Sequence, residues 1–223
     1  MLNLKIPKIF SSFDLKLIAL ISMIMDHICY MFIPQLSLFR IIGRMAFVLY
    51  AFMLVEGFLH THNLQRYIKK IAIWAVLSEI PYDLALYGKF VNWQHQNIFF
   101  TLLIGLLGLY SFKSNAHVML KILIGVACPL IARFLKVDFS WYGILVIFVF
   151  YFLRNISLAK FATIEILSFF VSFKLQIFAF LGFIPIALYN GKLGKKIGNI
   201  YYSFYALHLL LLGILKYHYL FHL

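Results

Sequence analysis

The sequence predicts an all-α polytopic transmembrane helix bundle of about nine spans with a cytoplasmic N-terminus, and three observations lead to that fold class. Only 12% of residues are charged and 64% are hydrophobic, against roughly 25% charged in soluble domains, and mean hydropathy is +0.95. Apolar stretches recur along the whole chain, leaving no polar block large enough for a soluble domain, so residues 1–223 read as one membrane domain. The lysines and arginines are concentrated in alternate connections, as the positive-inside rule requires.

The spans fall at about 15–32, 39–58, 68–86, 97–112, 118–135, 141–153, 158–173, 175–189 and 200–216. Several are shorter than the ~20 residues of a full crossing, which predicts tilt, local thinning or ends buried in protein. Lys5 and Lys8 precede the first apolar run, but no small-residue cleavage pattern follows, so the run reads as an uncleaved first span. In the third, Pro81 is expected to interrupt the helical ladder and leave backbone groups that need partners or water. Gly105 and Gly108 in the fourth read as a close-packing face. Residues 161–188 fit either one long helix or two short ones meeting at Lys174; two are preferred, because one would carry Lys192, Lys195 and Lys196 to the outer side.

With that count the cytoplasmic cations are Lys5, Lys8, Lys16, Arg66, Lys69, Lys70, Lys113, Lys121, Arg154, Lys160, Lys192, Lys195 and Lys196. Arg40, Lys89, Arg133, Lys136, Lys174 and Lys216 fall outside, and Arg44 falls within the membrane. The net charge of +13 is thereby topological, holding loops against an anionic leaflet. It calls for no nucleic acid, since no aromatic and basic platform lies outside the spans. Cys29 and Cys128 both sit in apolar segments and form no disulfide framework.

The chemistry is sought in polar residues at membrane depth. At ~1.5 Å rise per residue, His27 lies about 17 Å from Lys16, slightly past the midplane toward the outer face. Arg40 and Arg44, Glu79 and Asp83, and Asn97 and Thr101 are each four apart, so each pair shares one helix face. The first four helices can bring these groups, with Asp26 and His27, into one wet cavity in the outer half, the arginines matching the charge of Glu79 and Asp83. Asp26 and His27 diverge by about 100° on a helix, so Asp26 is expected to brace an arginine or a backbone group while His27 faces the cavity as proton acceptor. The competing reading of the same residues is an ion network that locks helices together.

Among the remaining polar residues, Glu56 sits near the cytoplasmic end of span two and Glu165 lies mid-span without an evident partner. His60 and His62 fall short of the three or four ligands of a metal site, so no metal is expected. His208, inside the last span, is a better site candidate. Lys192, Lys195 and Lys196, with Arg66, are the candidates for phosphates of a cytosolic cofactor, although inside-positive anchoring already explains the lysines.

The succession LKLIALISMIMDH (15–27), RIIGRMAF (40–47), VEGFLHT (55–61), RYIKKIAIWAVLSEIPYD (66–83), NIFFTLLIGL (97–106) and YALHL (205–209) resembles the TraX family of membrane pilin acetylases, with a weaker echo in WYGI (141–144). Val48 and Ala206 stand where that pattern would have proline. The resemblance implies an acetyltransferase of the cytoplasmic membrane that moves acetyl from acetyl-CoA to a peptide, pilin or glycan acceptor. It implies His27 as general base, Asp26 tuning the network and Arg44, or Arg40, stabilising the oxyanion. Glu79, Asp83, Asn97 and Thr101 would then shape the acceptor site, with Glu56 and His208 along the donor path. An ion-coupled transporter, or a non-catalytic assembly protein with a structural ion cluster, would use the same residues differently.

Overall fold

A computed structural model describes residues 7–35, 37–171, 174–196, 198 and 200–221; Lys5 and the last two residues of the expected 158–173 span lie outside them. The described residues form helices α1 (Ser12–Phe32), α2 (Ser37–Gly43), α3 (Met45–His60), α4 (Leu64–Tyr87), α5 (Ile98–Lys113), α6 (Val118–Phe134), α7 (Ser140–Phe152), α8 (Ser157–Phe170), α9 (Phe183–Ala187) and α10 (Ile200–Phe221), with a 3-10 segment at Lys174–Gly182. The segments Ser12–Phe32, Leu38–His60 and Ile200–His218 are long and apolar enough to cross a membrane. Shorter apolar helices lie at Ile98–Lys113, Ser140–Phe152 and Leu175–Ala187. The protein is therefore an all-helical, membrane-associated chain. Its residues group into two compact units, 1–53 with 161–198 and 54–160 with 199–223.

In the first unit, α1 starts at a capping box. The Asp14 carboxylate accepts from the Ser11 N–H at 2.8 Å and from its hydroxyl at 2.7 Å, while the Ser11 oxygen faces the Asp14 N–H. The helix ends where the Ile33 N–H donates to the Cys29 carbonyl, just before Pro34. Leu15 and Ala19 of α1 pack against Leu49 and Met53 of α3, flanked by Phe10, Ile186 and Tyr189. The single helix expected over 39–58 is bent: α2 stops at Gly43 and α3 starts at Met45, with the Arg44 N–H shared between the carbonyls of Arg40 at 3.2 Å and Ile41 at 3.1 Å. The expected helix over 175–189 is instead a 3-10 segment followed by the short α9. At their junction a Cβ on Gly182 would lie 3.0 Å from the Val48 Cβ, so the glycine permits a close approach to α3.

In the second unit, α4 runs through Pro81 to Tyr87 instead of breaking there. It closes on Gly88, whose φ of 68° supplies the left-handed cap. Helices α4 and α10 are parallel. Trp74 stacks on Tyr202 with ring centroids 6.5 Å apart, and eleven residues further along each helix a Cβ on Gly213 would lie 3.1 Å from the Ala85 Cα. Helix α5 begins beside the middle of α4, because the Asn97 side chain donates to the Ala75 carbonyl at 2.8 Å. The 88–97 connection therefore returns to mid-helix depth before α5 begins. This explains the brevity of α5, whose 16 residues span only about 24 Å.

Parallel α4 and α10 place the 88–97 loop and the C-terminal end of α10 on one side. Single cysteines at Lys89 and His218 are expected to react with a membrane-impermeant maleimide from the same side of sealed vesicles; labelling from opposite sides would contradict the parallel pair.

Candidate functional site

Three of the residues singled out from the sequence converge in the first unit. On α1, Asp26 faces the α2–α3 bend, and both guanidinium groups of that bend turn to it. Arg44 donates a direct hydrogen bond from its terminal nitrogen to Asp26 Oδ2, and Arg40 Nε lies 4.0 Å from Asp26 Oδ1. The side chains of Asp26 and Arg44 are each 14% exposed, so the pair is largely withdrawn from solvent. One helical turn beyond Asp26, the Tyr30 ring lies under the Arg40 guanidinium, 5.5 Å from its centroid. A Cβ on Gly43 would collide with the Asp26 side chain, so the absence of a side chain there lets the carboxylate reach the bend.

The cluster is not electrically closed. Two guanidiniums share one carboxylate, leaving a formal charge of about +1 in a low-dielectric setting where every charge needs a counterpart. Asp26 Oδ1, Arg40 Nε and Arg44 Nε are buried without a hydrogen-bond partner. Arg40 Nε faces Asp26 Oδ1 from beyond hydrogen-bond distance and Arg44 Nε is enclosed, so the pairing in the cluster is incomplete. His27 is half-buried on the same turn of α1, pointing about 100° away from Asp26.

The second unit holds another group of the expected residues. Glu79 Oε2 accepts from the Asn97 backbone N–H at 3.1 Å and from its side-chain amide. The Asn97 side-chain oxygen accepts from the Phe99 N–H at 2.9 Å, which makes it the N-cap of α5. One turn along α4, Asp83 Oδ2 accepts from the Asn92 N–H at 2.6 Å, while Asp83 Oδ1 is buried without a hydrogen-bond partner. The Thr101 hydroxyl donates to the Asp138 carbonyl, and the Asp138 N–H donates to the Gln96 carbonyl at 2.9 Å. Sequence reasoning matched Glu79 and Asp83 with the two arginines. In the structure Asp26 takes both arginines, and the two acids are occupied by the loop and the start of α5, groups that the sequence marked only by Asn92 and Asn97.

The other candidates have their own surroundings. His208 is buried, 6% exposed, with Nδ1 donating to the Phe204 carbonyl at 2.9 Å and its ring stacked on Phe204 at 5.8 Å. Glu56 Oε2 lies 3.9 Å from His60 Nδ1 near the end of α3. Arg66 is exposed in the first turn of α4, where its N–H donates to the Asn63 cap at 2.8 Å. Lys195 and Lys196 are exposed in the loop after α9. Glu165 is half-buried on α8 with Oε1 lacking a hydrogen-bond partner. Gly43 and Tyr30 escaped sequence reasoning, although each carried a positional signal: Gly43 precedes Arg44, and Tyr30 follows Asp26 by one turn.

A family model described as TraX protein matches residues 11–216. The probable fimbrial assembly protein FimC, serogroup H1, of Dichelobacter nodosus is 30% identical over 232 aligned residues, covering 91% of this chain and 94% of that protein. No solved structure matches.

Gly43→Val is expected to push Asp26 away from the bend and cost about 1–3 kcal/mol through overpacking. Asn97→Ala removes a cap and takes one of two donors from the half-buried Glu79 carboxylate, for about 1–3 kcal/mol. Denaturation of the purified proteins in detergent checks both; unfolding curves that overlay the wild type would contradict the packing at these two positions.

Proposed function

The chain belongs to the TraX family, and on that premise we propose that it is a multi-pass acetyltransferase of the cytoplasmic membrane, moving acetyl from acetyl-CoA to an amine or hydroxyl acceptor. The observation that carries this reading is the Asp26–Arg40–Arg44 cluster, two guanidiniums on one carboxylate, one residue from His27. A thioester carbonyl attacked by a nucleophile becomes an oxyanion, and a fixed, partly desolvated guanidinium pair is the environment that lowers such a barrier. In the proposed step the acceptor N–H or O–H gives its proton to His27 as the new bond to the acetyl carbon forms. The tetrahedral oxyanion is held by Arg44, assisted by Arg40. Collapse breaks the C–S bond, and His27 returns the proton to the departing coenzyme A sulfur. Asp26 acts through Arg44, fixing the direction of its fork.

The name of the FimC relative supports an acceptor among pilus subunits, and an acceptor amine at a peptide N-terminus fits the same chemistry. The donor path assigned to Glu56 and His208, and phosphate contacts at Arg66, Lys195 and Lys196, belong to this proposal, as does the nine-span topology with the N-terminus inside. Parallel α4 and α10 fit that count, and would fit seven equally, since with α5, α6 and α7 each crossing the segment between α7 and α10 contributes an even number of crossings.

A second reading, a non-catalytic membrane protein of pilus assembly, is favoured by the way Glu79, Asp83, Asn97 and Thr101 are spent on backbone and capping groups. Isotope-labelled acetyl-CoA, supplied to membranes and followed by mass spectrometry of peptides and glycans, separates the two. Transfer is expected with the wild type and lost in His27→Ala, which should remain monodisperse in detergent. Arg44→Lys is expected to slow transfer by about 100-fold, because an ammonium cannot reproduce the planar fork. Near-wild-type transfer by His27→Ala would remove the base assignment, and no transfer by the wild type would favour the assembly reading.

A further inference from the structure

In the first unit, the loop after α9 reads Asn190-Gly191-Lys192-Leu193-Gly194-Lys195-Lys196 and is pinned against the start of α1. The Asn190 N–H donates to the Phe10 carbonyl at 2.8 Å, the Ser12 N–H to the Lys192 carbonyl at 2.8 Å, and the Phe13 N–H to the Leu193 carbonyl at 3.2 Å. The Lys192 N–H donates to Asn190 Oδ1 at 2.8 Å, an Asx turn within the loop. The carbonyls of Lys192 and Leu193 therefore point at α1. In a planar trans peptide the N–H opposes the carbonyl, so the Leu193 and Gly194 N–H groups point the other way, out of the fold.

Gly191 and Gly194 hold left-handed conformations, φ 76° and 69°. Gly194 also packs so closely on Ser11 and Phe13 that a Cβ would lie 2.8 Å from the Ser11 Cβ and 3.0 Å from the Phe13 Cβ. Outward consecutive N–H groups beside left-handed glycines form the concave backbone arrangement that receives anions. Around them Lys192, Lys195 and Lys196 are exposed. Lys8 reaches the other end of the loop, its ammonium donating to the Ala187 carbonyl at 2.6 Å. The nearby Asp14 carboxylate is committed to the Ser11 N–H and hydroxyl.

We infer that the Gly191–Lys196 loop, with Lys192, Lys195 and Lys196, is a binding site for phosphate groups. Two sources share that chemistry: the phosphates of coenzyme A, an option that rests on the acetyl-transfer reading, and the headgroup of an anionic phospholipid, which does not. Positive-inside anchoring needs only lysines in the connection. It does not need two outward N–H groups fixed by hydrogen bonds to α1, and that fixed backbone is what distinguishes a site from a charged surface.

The full chain in nanodiscs of phosphatidylcholine is titrated with adenosine 3′,5′-bisphosphate and, separately, with short-chain phosphatidylglycerol. The wild type is compared with the triple variant Lys192→Gln, Lys195→Gln, Lys196→Gln, whose positions are exposed, and with the triple Lys→Arg variant, which keeps the charge. Saturable binding weakened about 100-fold by the Gln set and retained by the Arg set is expected. Response to the bisphosphate identifies a soluble phosphate; response to phosphatidylglycerol alone identifies the lipid headgroup. Equal affinity of the wild type and the Gln variant for both probes, or no binding of either, would overturn the site. Labelled-acetyl transfer measured in parallel separates the two proposals. Wild-type transfer by a Gln variant that binds neither probe differently from wild type sinks the loop alone, and lysine-dependent binding without any transfer sinks only the enzymatic reading.

Discussion

A carboxylate held between two guanidiniums within apolar helices is the interaction on which the first unit depends. An ion in such surroundings is costly unless it is paired, and breaking a buried pair leaves the survivor uncompensated, for about 3–5 kcal/mol. Asp26 therefore constrains its neighbourhood. Arg40 and Arg44, four apart, meet the same acid from one face, and position 43 must lack a side chain so that α1 can approach. Tyr30 must lie one turn further on to cover the Arg40 guanidinium. The remainder, one positive charge and two unpartnered Nε donors, is costly for stability and useful for chemistry that develops negative charge. That imbalance is the strongest physical reason to look for catalysis here.

The second unit solves a different problem. Its short helices α5 and α7 begin at non-helical backbone, and such backbone at depth requires polar partners. Glu79, Asp83 and Asn97 supply them to the 88–97 loop and the start of α5, and the Thr101 hydroxyl supplies one to the α6–α7 connection. These four residues are bracing as much as they are lining. The acids of α4 are spent on N–H and amide donors of their own unit.

The fold class was legible because hydropathy and lysine placement act at long wavelength along the chain. The start of α5 at Asn97 was legible, whereas the caps at Ser11, Asn63 and Gly88 appear only in the structure, where α1 and α4 start earlier than hydropathy alone suggests. Asp26 was expected to brace an arginine or a backbone group, and it meets Arg44; what escaped the sequence was that both arginines share it. The spacing of Arg40 and Arg44 put them on one face, and that of Glu79 and Asp83 did the same, but helical periodicity does not say which acid meets which arginine. Pro81 was expected to interrupt α4, yet one missing N–H near the end of a long packed helix is tolerated. The expected helix over 175–189 is largely 3-10, a difference of backbone winding that apolar composition does not report. The glycine loop at 191–194 was read only for its lysines, since peptide direction is invisible until the loop is seen pinned to α1.

The central claim is that Asp26 and Arg44 form a coupled, desolvated pair. A double-mutant cycle, with Asp26→Asn, Arg44→Gln and the combined variant unfolded in a common detergent, measures that coupling directly. A coupling energy of about 2–3 kcal/mol, with the double variant more stable than the sum of the single losses implies, is the predicted result. Strict additivity of the two single losses would contradict the pair and, with it, the charged centre proposed beside His27.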